Sequence, residues 1–429
     1  MQSTLYASRS GARARVWPPV RAACLALLIA GPPAIAVAQN GASLGATVDG
    51  LLAAGRQLSP SLRAAALETA ATMAKAEGAD ALDDPTLVDN YQYYHDPGVF
   101  SGHAIMVTQA FPLWGKRDLR KQAALADVEA ARGREQAAQN ELDERIKVAF
   151  ARYYVAVRAL AVDREVIALT QSMRRAAAAR YGAGRGDQPA VLQALGEETA
   201  ARTDVARLEG DRETARAQLN ALVARGAEAP LAEPLRLRPL PASGITVTAL
   251  LERARGNSPT LAASSAEIDA ARTRSKLADK AWFPDVTLGV GPLIQTNNRP
   301  PGVAATIGIN IPLSWGREAS EQKEAIARLG AARQRYDAAL LEIQATLGEA
   351  LARLKAARQT EDLLDREALP QARAAQKSIA AGYSQGRGDL AAAIDAEHRV
   401  HDLELKLLQA QLDGQMALAA IERVIGGDL

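Results

Sequence analysis

Two similar stretches, RYGAGRGDQPAVLQA at residues 180–194 and GYSQGRGDLAAAIDA at residues 382–396, decide how this chain is organised. Each contains Gly-Arg-Gly-Asp shortly after a tyrosine, and the second copy follows the first by 202 residues. Two further pairs recur in the same order: LLAAGRQLSPSLRAA with LLERARGNSPTLAAS, whose prolines are 199 apart, and FPLWGKR with IPLSWGR, whose prolines are 200 apart. Three landmarks recurring at nearly one interval indicate duplication of one large module.

The duplication predicts the domain boundaries. We expect a first repeat at 39–225, a proline-rich connector at 226–243 and a second repeat at 244–429. Residues 1–38 carry four arginines, then an apolar run and Ala36-Val37-Ala38, which is typical of a cleaved signal peptide and predicts export.

Loss of the signal peptide would change the formal net charge from +2 to about −2, so nothing favours a nucleic-acid partner. It would also remove Cys24, the only cysteine. Because Gln39 would follow the cut, a lipoprotein anchor is not supported.

Long helices are predicted between each strand region and each Gly-Arg-Gly-Asp. In the first repeat about 65 proline-free residues are rich in Ala, Arg, Glu and Leu, which favour helix. Leu142, Ile146, Ala149 and Tyr153 follow the four-three spacing of a coiled-coil seam, and the second repeat has a matching seam at Leu340, Ile343, Leu347, Ala350 and Leu354. In the second repeat Pro370 should kink or interrupt the corresponding helix.

Each Gly-Arg-Gly-Asp is then the tip of a helical hairpin, with turns at 182–187 and 384–389. Glycine ends the first helix, and we expect Asp187 and Asp389 to cap the next helix through their carboxylates. A cell-adhesion role for Arg-Gly-Asp is disfavoured, because the motif occurs twice at matched turns.

Period-two alternation predicts two strands ahead of each long helix, at about 85–94 and 103–113 and at about 283–291 and 304–313. The aromatic residues at the predicted strand ends are Phe111, Trp114, Trp282, Phe283 and Trp315. Such clustering is typical of a membrane-interface girdle; the alternative is a small sheet packed under the helices. Four strands cannot close a barrel, and lipid does not tolerate open edges, so several chains would have to pool their strands. The result would be a channel.

These features together resemble the TolC-like outer-membrane efflux factors, with FPLWGKR most similar to members that serve heavy-metal pumps. The resemblance implies a mainly α fold with a small β part. It further implies a homotrimer in outer-membrane lipid, whose twelve-stranded β-barrel continues into an α-helical barrel across the periplasm. The implied partners are a periplasmic adaptor and an inner-membrane RND-type pump.

Family members use the helix tips as the closed gate and as the adaptor contact. The matching adaptor-contact positions here are Tyr181, Gly184, Arg185, Gly186, Asp187, Gly386 and Gly388. Tyr383 and Asp395 match gate positions, and three copies of Asp395 would form an anionic ring that favours cations. The alternative for Asp395 is an exposed aspartate without a role. Ala392 and Gln193 stand where relatives are often acidic, so the gate should be less acidic than usual.

The paired Arg-Gly-Asp sequences add Arg387 and Asp389 to the predicted gate. His398 and His401, three residues apart on one helix, could share a metal ion. The chain has only four histidines, and its one cysteine would be lost with the signal peptide, so plain solvated histidines are favoured.

No cofactor and no active site are expected. GAGRGDQ follows a helix instead of a strand and lacks the Gly-Lys-Ser/Thr ending of a phosphate loop. A periplasmic coiled-coil adaptor or scaffold remains the alternative to the channel.

Overall fold

A computed structural model of the protein describes residues 44–93, 102–241, 244–295, 300–312, 316–385, 387 and 389–429. The expected signal peptide, Trp315, Gly386 and Gly388 lie outside the described residues.

The described residues form long helices and one small sheet. The helices are α1 Val48–Leu58, α2 Pro60–Glu77, α3 Lys116–Gly182, α4 Gln188–Leu222, α5 Val247–Asn257, α6 Pro259–Asp279, α7 Arg317–Leu363, α8 Leu369–Ser384 and α9 Leu390–Ile425. The strands are β1 Thr86–Gln92, β2 Gly102–Phe111, β3 Val286–Gln295 and β4 Gly302–Ile309. The mainly α fold with a small β part is confirmed. None of the helices in the described part of the chain is long and apolar enough to cross a bilayer.

The predicted coiled-coil seams are buried. In α3, Leu142, Ile146, Ala149 and Tyr153 pack against α1 and α4. In the second repeat, Ile343 and Leu347 of α7 pack in the same way against α5 and α9. α3 has 67 residues and therefore a length of about 100 Å, far more than one compact core requires.

The four strands form a single antiparallel sheet in the order β1-β2-β3-β4. β2 of the first repeat pairs with β3 of the second, so the sheet joins the two repeats. β1 and β4 form its two edges within the chain.

Strand limits differ from the expectation mainly in the second repeat, where β3 is Val286–Gln295 instead of 283–291. A 3-10 turn at Lys280–Trp282 precedes it, and the backbone of Pro284 has no N–H to give to a ladder. β4 begins and ends earlier than expected, at Gly302 and Ile309. β1 and β2 lie within two residues of their predicted limits.

The predicted interruption at Pro370 is present as a π-helical turn at Leu364–Ala368, between α7 and α8. Proline cannot donate a backbone hydrogen bond to the preceding turn, and a widened turn accommodates the missing bond.

Candidate functional site

Both helix tips make the same backbone hydrogen bond at the end of the first helix of the hairpin. Gly184 has φ of +70°, a left-handed conformation that glycine adopts without steric cost. The amide of Arg185 donates to the carbonyl of Arg180 at 2.9 Å, and the amide of Arg387 donates to the carbonyl of Gly382 at 3.0 Å. These matched six-residue closures end α3 and α8, as the repeated glycine sequence predicts.

The capping prediction is wrong in one respect. Asp187 and Asp389 occupy the N-cap positions of α4 and α9 with extended backbone, but neither carboxylate makes a capping hydrogen bond. Both side chains are exposed, so water competes for the carboxylates. Each carboxylate still lies at the positive end of a helix dipole.

Behind the turns, the two hairpins are held together by an apolar tip cluster. It consists of Met173, Ala177, Ala194, Tyr383, Leu390, Ala393 and Ile394. The cluster contains residues of α3 and α4 from the first repeat and of α8 and α9 from the second, so the two tips of one chain pack as one unit.

The two tip tyrosines lie in different environments. Tyr383 is 8% exposed within the tip cluster, and the guanidinium of Arg180 stacks 5.0 Å from the centroid of its ring. Tyr181 is 50% exposed. Tyr383 is therefore placed to hold the tips together, whereas Tyr181 is available to another protein.

The remaining gate candidates are on the surface. Arg387, Asp389 and Asp395 are exposed, and the guanidinium of Arg387 donates to the side-chain carbonyl of Gln385. Arg185 is exposed as well. The described residues thus bring cationic and anionic side chains to the same end of the chain.

At the other end of α3, an aromatic junction links the two repeats. Trp114 has φ of +62°, which costs a residue with a β-carbon about 1–2 kcal/mol. Its indole Nε1 donates to the carbonyl of Pro284 at 2.7 Å, and its ring lies 5.3 Å from that of Phe283. These contacts offset the backbone strain. Trp282 occupies the neighbouring 3-10 turn, and Phe111 ends β2.

A buried lysine completes this junction. Lys116 Nζ lies 2.8 Å from both carboxylate oxygens of Asp285 and 2.8 Å from the carbonyl of Phe283. Asp285 also accepts from the amide of Leu113 at 3.0 Å. The motif FPLWGKR thus binds the segment before β3, a partnership that spacing alone does not reveal.

The sheet has two chemically different faces, because directly paired residues of a β-ladder share a face. The apolar face consists mainly of Leu87, Ile105, Val107, Val286, Leu288, Val290, Ile294, Val303, Ile307 and Ile309. Most of these side chains are exposed. The opposite, small-residue face consists mainly of Ala104, Thr108, Ala110, Thr287, Gly289, Gly291, Ala304, Thr306 and Gly308.

One polar pair interrupts the apolar face. His103 Nδ1 lies 3.0 Å from a carboxylate oxygen of Asp89, and Tyr91 stacks on the imidazole with 4.5 Å between ring centroids. The pair lies towards the end of the sheet that is away from α3.

The two candidate metal-binding histidines contact different helices. His398 Nε2 lies 3.1 Å from a carboxylate oxygen of Glu197 on α4, and His401 Nε2 lies 2.7 Å from Asp163 Oδ1 on α3. Across the described ranges, no three His, Cys, Asp or Glu side chains come together as a metal site would require. Whether the histidines bind metal stays a prediction.

Glu397, next to His398 on α9, is a buried carboxyl. Burial raises the pKa of Glu397 above its ordinary value, while a hydrogen bond from the amide of Gln376 acts in the opposite direction. Ionisation of Glu397 in the folded protein therefore costs free energy.

Comparison with known proteins agrees with this architecture. The family model described as outer membrane efflux protein matches residues 250–427. The cobalt-zinc-cadmium resistance protein CzcC of Cupriavidus metallidurans is 24% identical over 254 residues, which are 59% of this chain and 60% of CzcC. The chain thus matches about three fifths of the length of this curated relative.

Solved structures extend the likeness to nearly all of the chain. The outer membrane protein VceC of Vibrio cholerae is 19% identical with a TM-score of 0.74, covering 89% of this chain and 96% of VceC. CusC is 18% identical with a TM-score of 0.75, covering 89% of this chain and 92% of CusC. At these identities the likeness concerns the fold.

The fold is that of outer-membrane channels with a β-barrel continued by helices. The model of the outer membrane efflux protein family matches residues 250–427, and the expected resemblance to TolC-like outer-membrane efflux factors is confirmed at the level of the fold.

Proposed function

We propose that this protein is the outer-membrane channel of a tripartite efflux system, and that it conducts substrates passively from an inner-membrane pump and a periplasmic adaptor to the exterior. The observation that carries the proposal is the sheet with one exposed apolar face, one small-residue face and two open edges. An apolar face suits lipid, and a face of alanine, glycine and threonine, which is less apolar and leaves space for water, suits a lumen.

Open edges cannot remain unpaired in lipid, so β4 of one copy would pair with β1 of the next. Three copies give a closed barrel of twelve strands, within the size range of membrane barrels. The helices α3 and α7, which follow β2 and β4, would then continue the lumen as a helical tube.

The tips are the proposed gate and adaptor contact. Exposed Tyr181, Arg185 and Asp187 suit an adaptor surface, together with Gly184, Gly186, Gly386 and Gly388 of the two turns. Arg387, Asp389 and Asp395 are the charged residues proposed to line the closed gate, and Tyr383 would set its shape from within the tip cluster.

We further propose an RND-type pump for heavy-metal cations as the partner. Support comes from the name of CzcC, a cobalt-zinc-cadmium resistance protein, and from the resemblance of FPLWGKR to such members. Deletion of the gene in its host should lower tolerance to these cations, and the wild-type gene should restore it.

Cell fractionation tests the channel itself. The channel requires a detergent-extracted trimer in the outer membrane and ion conductance in a planar bilayer. A monomer released with the soluble periplasm would instead favour the scaffold alternative.

A further inference from the structure

The two repeats correspond residue by residue. α1 and α2 correspond to α5 and α6 with an offset of 199, because Ser59 and Ser258 occupy the same buried position before a helix-starting proline. α3 corresponds to α7 with an offset of 201, because Gly115 and Gly316 are both left-handed N-caps. Buried positions repeat with the same offset: Ile146 with Leu347, Ala149 with Ala350, and Tyr153 with Leu354.

Inside the chain, one seam joins the repeats. We define the inter-repeat seam as the contact of α3 with α6 and with the segment 283–285. Three ion pairs cross it: Lys116 with Asp285, Arg134 with Glu267, and Arg274 with Asp127. In the first two pairs the cation is on α3 and the anion is in the second repeat.

The corresponding surfaces at the outer ends of the repeats are separate within one chain, since β1 and β4 are opposite edges of the sheet. α7 therefore presents the surface that α3 uses in the seam, and α2 with the segment before β1 presents the surface that α6 and 283–285 use. With the offset of 201, Lys116 corresponds to Arg317 and Arg134 corresponds to Arg335, so both positions carry a cation in the second repeat as well.

Both anions are retained as well. With the offset of 199, Glu267 corresponds to Glu68 of the first repeat. For Asp285 the strand ladders fix the match: Thr108 lies opposite Thr86, and Ile309 lies opposite Val286. Because the prolines after β2 and β4 are 200 residues apart, β2 and β4 correspond with an offset of 200. Their partner strands β1 and β3 then correspond with an offset of 201, which aligns Asp285 with Asp84.

The four residues that correspond to the two seam pairs are exposed in the single chain; they are Asp84, Arg317, Glu68 and Arg335. Arg317 is 82% exposed at its side chain, and among the residues that the structure describes its one ion pair is with Glu321 of its own helix, at 2.9 Å. Asp84, Glu68 and Arg335 make no ion pair with any residue that the structure describes. Charged groups of opposite sign are thus present at equivalent positions, and none of them pairs with another described element of the chain.

The third seam pair does not transfer. Its counterparts are Arg328 and Lys75, which are both cations, and Arg328 pairs with Glu324 of its own helix. The inference is therefore limited to two pairs.

We propose that neighbouring copies of this chain join through Arg317 with Asp84 and Arg335 with Glu68, repeating between copies the seam that the chain makes within itself. The contact is head-to-tail, and such contacts close into rings. The proposal rests on the proposed function, because it requires that β4 of one copy lies beside β1 of the next.

A charge swap tests the pair nearer the membrane. In Asp84→Arg and in Arg317→Asp, two like charges would face each other at each of the three contacts, and trimer dissociation in detergent should accelerate about tenfold or more. The double variant Asp84→Arg/Arg317→Asp should restore a lifetime close to that of the wild type. The same scheme applies to Glu68→Arg and Arg335→Glu.

Asp83→Arg is the matched control, because it makes the same charge change at the adjacent exposed position, which corresponds to Pro284 and has no cation to meet. Its trimer lifetime should equal that of the wild type. Lifetimes are measured by native mass spectrometry after dilution into detergent.

The outcomes separate the two proposals. A wild-type trimer whose lifetime is unchanged by either single variant, or a double variant that is no better than the singles, overturns the pairing and leaves the channel intact. A wild-type protein that is never a trimer overturns both.

Discussion

Lys116 on the first repeat and Asp285 on the second form a partly buried ion pair in which Nζ lies 2.8 Å from each carboxylate oxygen. The pair lies where the sheet meets the long helices, and it links the start of α3 to the segment that precedes β3. Its surroundings suit it: the amide of Leu113 and the carbonyl of Phe283 satisfy the remaining hydrogen-bonding capacity.

Replacing Lys116 by Met should destabilise the fold by about 1–3 kcal/mol, because Asp285 would lose its charge partner at a partly buried site. The control is Lys121→Met. Lys121 also pairs with an aspartate, Asp80, but it is 45% exposed where Lys116 is 8% exposed. An exposed pair contributes about 0–1 kcal/mol. Chemical unfolding in detergent measures both, and equal losses would contradict the assignment.

Glu422 should be as sensitive. It is buried near the end of α9 and accepts hydrogen bonds from Lys147 at 2.8 Å and from Arg238 of the connector at 2.8 Å. Glu422→Gln would remove the counter-charge of Arg238 and leave Lys147 paired only with the exposed Asp428, and we expect a loss of about 1–3 kcal/mol in the free energy of unfolding. Glu349→Gln, at an exposed pair with Arg353, should cost less than about 0.5 kcal/mol.

The two histidines of α9 should differ in their effect on stability. Asp163 is buried, and one of its carboxylate oxygens has no hydrogen-bond partner among the described residues. His401→Ala would remove its imidazole partner and should cost about 1–3 kcal/mol. His398→Ala acts on an exposed pair with Glu197 and should cost less than about 1 kcal/mol. In the double variant, equilibrium Zn²⁺ binding should be unchanged; a loss of binding would revive the metal-site interpretation.

Glu397 predicts a pH dependence of stability. Because burial raises its pKa in the folded state, folding is favoured while the carboxyl is protonated, and this stabilisation is lost as the pH rises through the folded pKa. Glu397→Gln keeps the shape and the contact with Gln376 without the charge. The variant should therefore be more stable than the wild type at pH 7, and the difference should shrink on acidification.

Thermal unfolding between pH 7 and pH 4 tests this dependence, with Glu349→Gln as the control at an exposed carboxyl. A constant difference between Glu397→Gln and wild type across this range would rule out titration of Glu397 as the cause.

The gate proposal predicts a change in conductance. Replacing Arg387 and Asp389 together by alanine should weaken contacts between tips of neighbouring copies and raise single-channel conductance in a planar bilayer. Ala391→Ser, close by on α9 and outside the proposed gate positions, keeps the charge and serves as the control. Unchanged conductance would remove both residues from the gate without affecting the channel.

Much of the architecture could be predicted because duplication and periodicity are local signals. Leu142, Ile146, Leu347 and Leu354 are buried where the four-three spacing places them, and the period-two stretches form the sheet. Strand limits were less predictable in the second repeat, where a 3-10 turn and Pro284 set the start of β3.

Partnerships between distant residues could not be predicted in the same way. Lys116 and Asp285 are separated by 169 residues, and nothing in either local sequence marks the other. Similarly, the two tip tyrosines are equivalent in sequence, yet only Tyr383 is buried, because Arg180 and the helices of the first repeat cover its ring. Asp187 and Asp389 have the residue type of a helix cap without its hydrogen bond.

The π-helical turn at Leu364–Ala368 explains a small discrepancy in the arithmetic of the duplication. Before this turn the copies are 201 residues apart, as at Gly115 and Gly316; after it they are 202 apart, as at Tyr181 and Tyr383. One added residue in a regular helix would rotate everything beyond it by about 100°. The widened turn accommodates the extra residue without rotating the helix beyond it. The tip of the second repeat therefore still packs against the tip of the first. Deleting one residue there should be tolerated better than deleting one anywhere else in that rod.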